Sequence, residues 1–87
     1  MKLSQTVQFK KDIKQQIKRG KNQTKLLEVI KILLSGTTLS PIYKDHPLKG
    51  QWNGRRDCHI ESDWILIYRI NNNELRLERT GSHSDLF

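Results

Sequence analysis

The fold is decided by residues 64–79, which read WILIYRINNNELRLER. The first seven of these, Trp64–Ile70, form a near-continuous run of β-branched and aromatic side chains, which is typical of a central strand covered on both faces. Three asparagines then predict a turn, and alternating leucines predict a second strand over Glu74–Arg79. With period-two alternation the two leucines of this strand share a face with Arg79, so we expect Arg79 where an apolar stripe ends.

Two helices are predicted before this strand pair, preceded by a short edge strand from Lys2 to about Gln5. Phe9, Ile13 and Ile17 recur at four-residue spacing and predict the first helix. Thr6 is its candidate N-cap, and Gly20 is expected to end it. The second fits Gln23–Ser35, where leucines and isoleucines form an apolar stripe that stops at Gly36.

Between the helices and the strand pair, residues 37–54 contain two prolines and two glycines, which predict a long ordered loop. A strand over Arg55–Ile60 follows it, and Thr80-Gly81-Ser82 is predicted as a turn after the last strand. The order β-α-α-β-β-β belongs to the α+β class, with two N-terminal helices packed on a small, mainly antiparallel sheet.

The 87 residues form a single domain, 1–87, because two cores would each be too small to offset chain entropy. No apolar run approaches the roughly 18 residues that span a bilayer, and the N-terminus lacks the hydrophobic stretch of a secretion signal, so we expect a cytoplasmic protein. Cys58 is the only cysteine, which excludes an intrachain disulfide and a cysteine-based zinc site and is best explained as a small apolar strand residue.

The net charge of +7 lies entirely in the N-terminal third. Residues 1–31 hold nine Lys or Arg against two acidic residues, whereas residues 32–87 hold seven of each. Such a basic block is typical of a protein with a polyanionic partner, although it could also be a solvated lysine face. The lysines that we assign to RNA binding are Lys10, Lys11, Lys14 and Lys18.

Three histidines in the C-terminal half, His46, His59 and His83, suggest proton transfer beside Arg79. Imidazole can take and return a proton near neutrality, and a guanidinium offers planar donors to phosphate oxygens. This set indicates chemistry on a nucleic-acid backbone. A three-histidine metal site is the alternative, but separations of 13 and 24 residues match no compact ligand motif. His46, which precedes Pro47, could also simply cap a loop.

Three segments carry a family resemblance: YKDHPLKG at 43–50, RDCHIESDWILIY at 56–68 and RTGSHSDLF at 79–87. Together they closely resemble the YafQ branch of the RelE-like bacterial toxins, over residues 43–87. The N-terminal half agrees only in pattern, as a short strand followed by two basic helices. This resemblance implies the toxin half of a type II toxin–antitoxin pair, with a RelE-like fold.

The resemblance further implies an endoribonuclease that cleaves messenger RNA on the ribosome without a metal or other cofactor. Its partners would be the ribosome with its message and a cognate antitoxin, and no membrane. Acid–base catalysis would come from His46, His59, Asp63 and His83, and Arg79 would stabilise the charge on phosphorus. Trp64 would shape the site or stack in it, and Phe87 would pack near it. The resemblance does not say which histidine is the base and which is the acid.

One departure and several alternatives accompany this prediction. Family members often carry proline before the aspartate that matches Asp63, whereas this chain has Ser62, which fixes the backbone less tightly. Asp63 could be only a turn residue, and Trp64 only a core residue at the head of its strand. The alternative functions are a non-catalytic basic RNA-binding module and a gyrase-targeting toxin of the ParE kind, whose members lack the histidine set.

Overall fold

The computed structural model describes residues 1–87 and has the predicted α+β architecture. One five-stranded sheet has the strand order β1-β5-β4-β3-β2, in which only the β1–β5 pair is parallel. The elements in chain order are β1 (Lys2–Gln5), α1 (Val7–Lys18), α2 (Gln23–Leu34), β2 (His46–Pro47), β3 (Arg56–Glu61), β4 (Trp64–Asn71), β5 (Glu74–Gly81) and α3 (His83–Leu86).

Both helices begin where the sequence predicts. The Thr6 hydroxyl accepts the backbone N–H of Phe9 at 2.9 Å, and the Asn22 side chain accepts that of Thr24 at 3.0 Å, so each helix has a side-chain N-cap. Gly20 follows α1 with a φ of +86°, a backbone conformation that glycine adopts without steric cost. The second helix ends at Leu34, one residue earlier than predicted.

The main core lies between the two helices and one face of the sheet, where thirteen buried residues form a single cluster. A smaller cluster of Ile65, Ile67 and Leu86 lies on the opposite face, where Leu48 and Trp52 pack against it. The strand β4 is central in the sheet and contributes to both clusters, because its side chains alternate between the faces. The prediction of a central strand covered on both faces is confirmed.

The turn between β4 and β5 is the predicted asparagine turn. Asn72 and Asn73 both have positive φ, at 52° and 59°, and they lie between the paired residues Asn71 and Glu74. Two consecutive positive φ values are the signature of a type I′ hairpin, for which asparagine is a preferred residue.

Three local predictions were wrong. The strand β5 continues through Thr80 to Gly81, so the chain does not turn there, and Ser82 instead caps the short helix α3. The strand β3 is displaced by one residue from the predicted Arg55–Ile60. Residues 37–54 are not all loop, since they contain the two-residue strand β2 and 3-10 turns at Pro41–Tyr43 and Gly50–Trp52. None of the helices is long and apolar enough to cross a membrane.

Candidate active site

The sheet presents one face to the helices, and we call the other its open face. Two rows of paired residues cross this open face. The first runs from His46 on β2 through Asp57 and Ile67 to Arg79 on β5, and the second from His59 through Ile65 to Gly81. Residues paired across strands share a face, so His46, His59 and Arg79 lie on the same side of the sheet.

Arg79 reaches the open face because β5 contains a β-bulge. Tyr68 pairs with Leu77 while the preceding Ile67 pairs with Arg79, so Glu78 is an extra residue. The extra residue reverses the alternation, because a shift of one residue exchanges the two faces of a strand. The prediction that Arg79 shares a face with the leucines of β5 was therefore wrong. The bulge separates Arg79 from Leu75 and Leu77, which are in the helix-side core.

His83 is held at the start of α3 by contacts on both sides of it. Ser82 and Asp85 form a capping box, and Asp85 also accepts two hydrogen bonds from the guanidinium of Arg19. The imidazole Nδ1 of His83 lies 2.6 Å from Oδ1 of Asp63, which also accepts the backbone N–H of His83 at 2.9 Å. The rings of His83 and His59 meet edge to face with centroids 5.4 Å apart.

This contact determines how His83 can act. A carboxylate only accepts hydrogen bonds, so Nδ1 carries the proton toward Asp63 and Nε2 faces away from Asp63 for proton exchange. The backbone N–H of His83, followed by its imidazole, lowers the pKa of the Asp63 carboxyl, which keeps Asp63 ionised. Asp63 itself lies in the two-residue turn between β3 and β4, and Ser62 in place of proline does not prevent this contact.

His46 lies at the opposite end of the first row, against a buried carboxylate. Its Nδ1 is 3.0 Å from Oδ1 of Asp57, a side chain with about one-twentieth of its surface exposed, and 2.8 Å from the carbonyl oxygen of Lys44. The preceding residue, Asp45, accepts a hydrogen bond from the Tyr68 hydroxyl at 2.7 Å, which fixes the loop at this point. His46 is thus placed both by the two-residue strand β2, which pairs it with Asp57, and by these side-chain and loop contacts.

Asp57 is a site residue that sequence reasoning missed. Burial raises the pKa of its carboxyl, whereas the nearby imidazoles of His46, His59 and His83 act to lower it. Its Oδ1 atom receives no well-aligned hydrogen bond, although His46 is close. A buried, incompletely paired carboxylate among three histidines is typical of a functional site. The available signal was period-two alternation, which puts Asp57 on the same face of β3 as His59.

The two aromatic residues assigned to the site have different roles. Trp64 is 1% exposed and belongs to the helix-side core, which agrees with its alternative assignment as a core residue. Its burial rules out stacking on RNA, whereas a role in shaping the site stays a prediction. Trp64 donates its indole N–H to the Thr80 hydroxyl at 2.9 Å, next to Arg79. Phe87 is 58% exposed and meets Trp52 edge to face, with centroids 6.3 Å apart. Trp52 was not predicted as part of this region.

None of the four lysines assigned to RNA binding lines the pocket that contains His59. The largest depression, about 510 Å³, is an apolar groove between β1 and the two helices, and Lys10 and Lys14 are on its walls. His59 instead lines a smaller pocket of about 240 Å³ at the edge of β3. The groove is the larger cavity, but the candidate catalytic groups, which are the three histidines and Arg79, lie together on the open face. Lys11 and Lys18 are exposed on α1 and line neither cavity.

Neither a metal site nor a reactive thiol is formed by these side chains. No three histidine, cysteine, aspartate or glutamate side chains are arranged so that they could hold a metal ion. Cys58 is fully buried in the helix-side core, and burial raises the pKa of its thiol to about 12. A buried thiol with such a pKa is not a nucleophile near neutrality, as expected for a structural residue.

Comparison with known proteins agrees with this fold over its whole length. Residues 1–87 match the family model described as bacterial toxin of type II toxin–antitoxin system, YafQ. The mRNA interferase toxin YafQ of Escherichia coli strain K12 is 49% identical over 81 residues, covering 92% of this chain and 88% of that protein.

Solved structures show the same architecture. The toxin chain in the DinJ–YafQ complex of Escherichia coli superposes with a TM-score of 0.91 at 45% identity, over 98% of this chain and 96% of that one. A copper-bound mutant toxin from Helicobacter pylori superposes with a TM-score of 0.95 at 41% identity, over 100% of this chain and 99% of that one.

Fold, site and relatives together define this protein as a toxin of a bacterial type II toxin–antitoxin system. Within that class the chain belongs to the YafQ family. The resemblance seen in residues 43–87 is therefore confirmed, and it extends to the N-terminal half, which the sequence motifs did not cover.

The two aspartates of the site should titrate on opposite sides of the ordinary aspartate pKa of about 3.9. The pKa of Asp63 should be lower, because hydrogen bonds favour its charged form, and that of Asp57 higher, because burial disfavours its charged form. Carbon-13 NMR of the carboxyl groups against pH measures both. In His83→Gln the pKa of Asp63 should stay below 3.9, because the backbone N–H of residue 83 is the larger cause of its shift.

The sign of each effect on stability follows from these shifts. Asp63 favours the folded state above its unfolded pKa, and that contribution is lost as the pH falls through its lower folded value. Asp57 disfavours the folded state increasingly as the pH rises from about 4 through its folded pKa. In urea-unfolded protein the two carboxyls should titrate together. Coincident titration in the folded protein would contradict this geometry, as would complete return of Asp63 to its unfolded pKa in His83→Gln.

Proposed function

We propose that this toxin is an mRNA interferase that cleaves ribosome-bound messenger RNA by attack of the 2′-hydroxyl on the adjacent phosphorus, without a metal. The observation that carries the proposal is the convergence of three histidines and one arginine on the open face of the sheet. Relatives at 49% identity are named mRNA interferase toxins, which supports the same activity in this chain.

The open face supplies each group that this reaction requires. One imidazole removes the proton of the 2′-hydroxyl, whose oxygen then forms a bond to phosphorus. The bond from phosphorus to the 5′-oxygen breaks, and a second imidazole protonates that leaving oxygen. The products are a 2′,3′-cyclic phosphate and a 5′-hydroxyl. Arg79 stabilises the negative charge on the phosphoryl oxygens, so the mechanism draws on protein side chains alone.

The surroundings distinguish the three histidines without assigning base and acid. His83 is oriented by Asp63 through Nδ1, and the ring of His59 packs against it, so these two imidazoles lie side by side. His46 and Asp57 are strand partners at the β2 end of the first row, where the imidazole and the carboxylate are 3.0 Å apart. In-line displacement needs one imidazole as base and another as acid, and the three histidines on this face provide both.

RNA contacts outside the chemistry come from two surfaces. Phe87 is exposed beside α3 and offers an aromatic ring on which a base can stack. Lys10, Lys11, Lys14 and Lys18 of α1 dock on ribosomal RNA, and counterion release makes this docking weaken as salt increases. Because α1 packs behind the sheet, docking and cleavage use different sides of the molecule.

A reconstituted translation complex tests the proposal. Wild-type toxin should cut a ribosome-bound message, but not the same message carrying a 2′-deoxy nucleotide at the cleavage position, because the nucleophile is then absent. His83→Gln should lower the cleavage rate constant by about 10²- to 10⁴-fold through loss of a proton-transfer group. The matched control is Ser84→Ala, at an exposed neighbouring residue that should leave the rate unchanged.

The chemistry of the cut ends completes this test. The downstream fragment should accept a label from polynucleotide kinase without phosphatase treatment, because its 5′ end is a hydroxyl. A chelator of transition metals that spares the ribosomal Mg²⁺ should not change the rate. Cleavage of the 2′-deoxy message, a 5′-phosphate product or full activity in His83→Gln would each contradict the mechanism.

We also propose that an antitoxin is the protein partner, by analogy with the DinJ–YafQ complex. Its docking site would be the apolar groove beside β1, an edge strand with unpaired backbone groups on its outer side. Leu3 and Leu27 are half-exposed on the walls of this groove, and Lys10 and Lys14 are beside them. This combination fits a segment that mixes apolar and acidic side chains and orders on binding.

Leu27→Glu should weaken the toxin–antitoxin complex by at least about tenfold. The new carboxylate repels the acidic side chains of the antitoxin segment and replaces an apolar wall of the groove. The measurement is the dissociation constant of the antitoxin encoded by the neighbouring reading frame. Val7→Glu is the control, since Val7 is 70% exposed and does not line the groove. Equal affinities of the two variants would place the antitoxin elsewhere.

A further inference from the structure

Asp12 on α1 is a buried carboxylate that the reaction proposed above does not use. It is 5% exposed and lies on the helix side of the molecule, yet it contacts the strand that carries Arg79. Its Oδ2 atom accepts from Arg79 Nε at 2.7 Å and from the Thr80 backbone N–H at 3.1 Å. Its Oδ1 atom accepts from Arg79 Nη2 at 3.2 Å and from Gln8 Nε2 at 3.1 Å.

These contacts exist because β1 is shorter than β5. The pairing of the two strands ends at Gln5 and Leu77, and the chain then enters α1 through Thr6. Beyond Leu77 the outer edge of β5 has no neighbouring strand, and Asp12 satisfies the backbone N–H of Thr80 there. The carboxylate thus substitutes for a missing strand at the point where the bulge turns Arg79 toward the open face.

Four hydrogen bonds use the full accepting capacity of a carboxylate, so Asp12 has no lone pair left for substrate or for proton transfer. Arg79 is in the opposite situation. It donates its Nε–H and one N–H of Nη2 to Asp12, whereas both N–H groups of Nη1 and the second N–H of Nη2 are free to bind substrate. Because the guanidinium is planar, two anchored nitrogens fix the direction of the other donors.

We propose that Asp12 is a positioning residue of the cleavage reaction, which holds the guanidinium of Arg79 so that its free donors meet the phosphoryl oxygens. This inference rests on the proposed ribonuclease function. It assigns to α1 a role in catalysis separate from docking, because a helix behind the sheet determines the orientation of a side chain on the open face. A flexible arginine at the same place would have to be ordered during each reaction, at a cost in rate.

Steady-state cleavage of ribosome-bound message tests the proposal with Asp12→Asn. We expect the rate constant at saturating message to fall at least tenfold, with less than about a threefold change in KM, because orientation in the transition state is lost while binding is kept. Glu28→Gln is the matched control, since it removes one negative charge from an exposed helix position and should keep the wild-type rate. Equal rate constants for these two variants would overturn the proposal.

A double-mutant cycle separates positioning from a general structural role. In an Arg79→Ala background, Asp12→Asn should lower the rate constant less than twofold further, because Asp12 acts through Arg79. An undiminished additional loss in that background would overturn the proposal. Arg79→Lys keeps a cation beside the buried carboxylate but lacks the fork, so it should fold and still lose at least tenfold in rate. Wild-type activity in Arg79→Lys would also overturn it.

NMR of the wild-type protein tests the geometry without any variant. The Arg79 Nε–H should exchange slowly with water, and rotation about its Cζ–Nε bond should be slow, because two nitrogens are bound to Asp12. A freely rotating guanidinium would overturn the positioning role whatever the variants do. Failure of wild-type toxin to cleave message, together with a restrained guanidinium, would instead count against the proposed ribonuclease function.

Discussion

The β-bulge at Glu78 is the constraint on which the rest of the site depends. The sheet must bury Leu75 and Leu77 against the helices, and regular alternation would then also send Arg79 to that side. One extra residue cancels this, because it pairs Arg79 with Ile67, whose side chain belongs to the open face. The same strand therefore serves the core along its first half and the site along its second half.

Once Arg79 is on the open face, the two sides of the sheet have different uses. The helix side holds the main core, the apolar groove and the lysines of α1, whereas the open side holds the three histidines and the small buried cluster of Ile65, Ile67 and Leu86. Two contacts connect the sides. Asp12 of α1 binds Arg79, and Arg19, which follows α1, binds Asp85 in the same short helix as His83. The ion pairs Asp12–Arg79 and Arg19–Asp85 therefore join the two sides of the sheet and also hold the site residues in place.

Sequence reasoning predicted the α+β class, both main helices, the central strand and the asparagine turn, because these follow from local periodicity and turn chemistry. It missed β2 and α3, which are too short to show a periodic pattern. It could not predict the bulge, since an inserted residue looks like ordinary alternation until the partner strand is known. The face of Arg79 was wrong for that reason. The end of β5 was wrong because Thr80 and Gly81, which were predicted as part of a turn, continue the pairing with β4. Asp12 and Asp57 were missed because their importance comes from long-range contacts, with Thr80 across 68 positions in the case of Asp12. His46, His59 and His83 were named from the chemistry of imidazole and Asp63 through the resemblance, and the structure brings His83 against both Asp63 and His59.

The central claim is that the open face binds and cleaves RNA, and NMR mapping with a non-cleavable RNA tests it most directly. A short RNA with 2′-deoxy nucleotides, titrated at low salt, should shift the side-chain resonances of His46, His59, His83 and Arg79. The methyl resonances of Leu3 and Leu27 in the apolar groove should stay unchanged. Shifts confined to the groove, with unchanged histidines, would contradict the account.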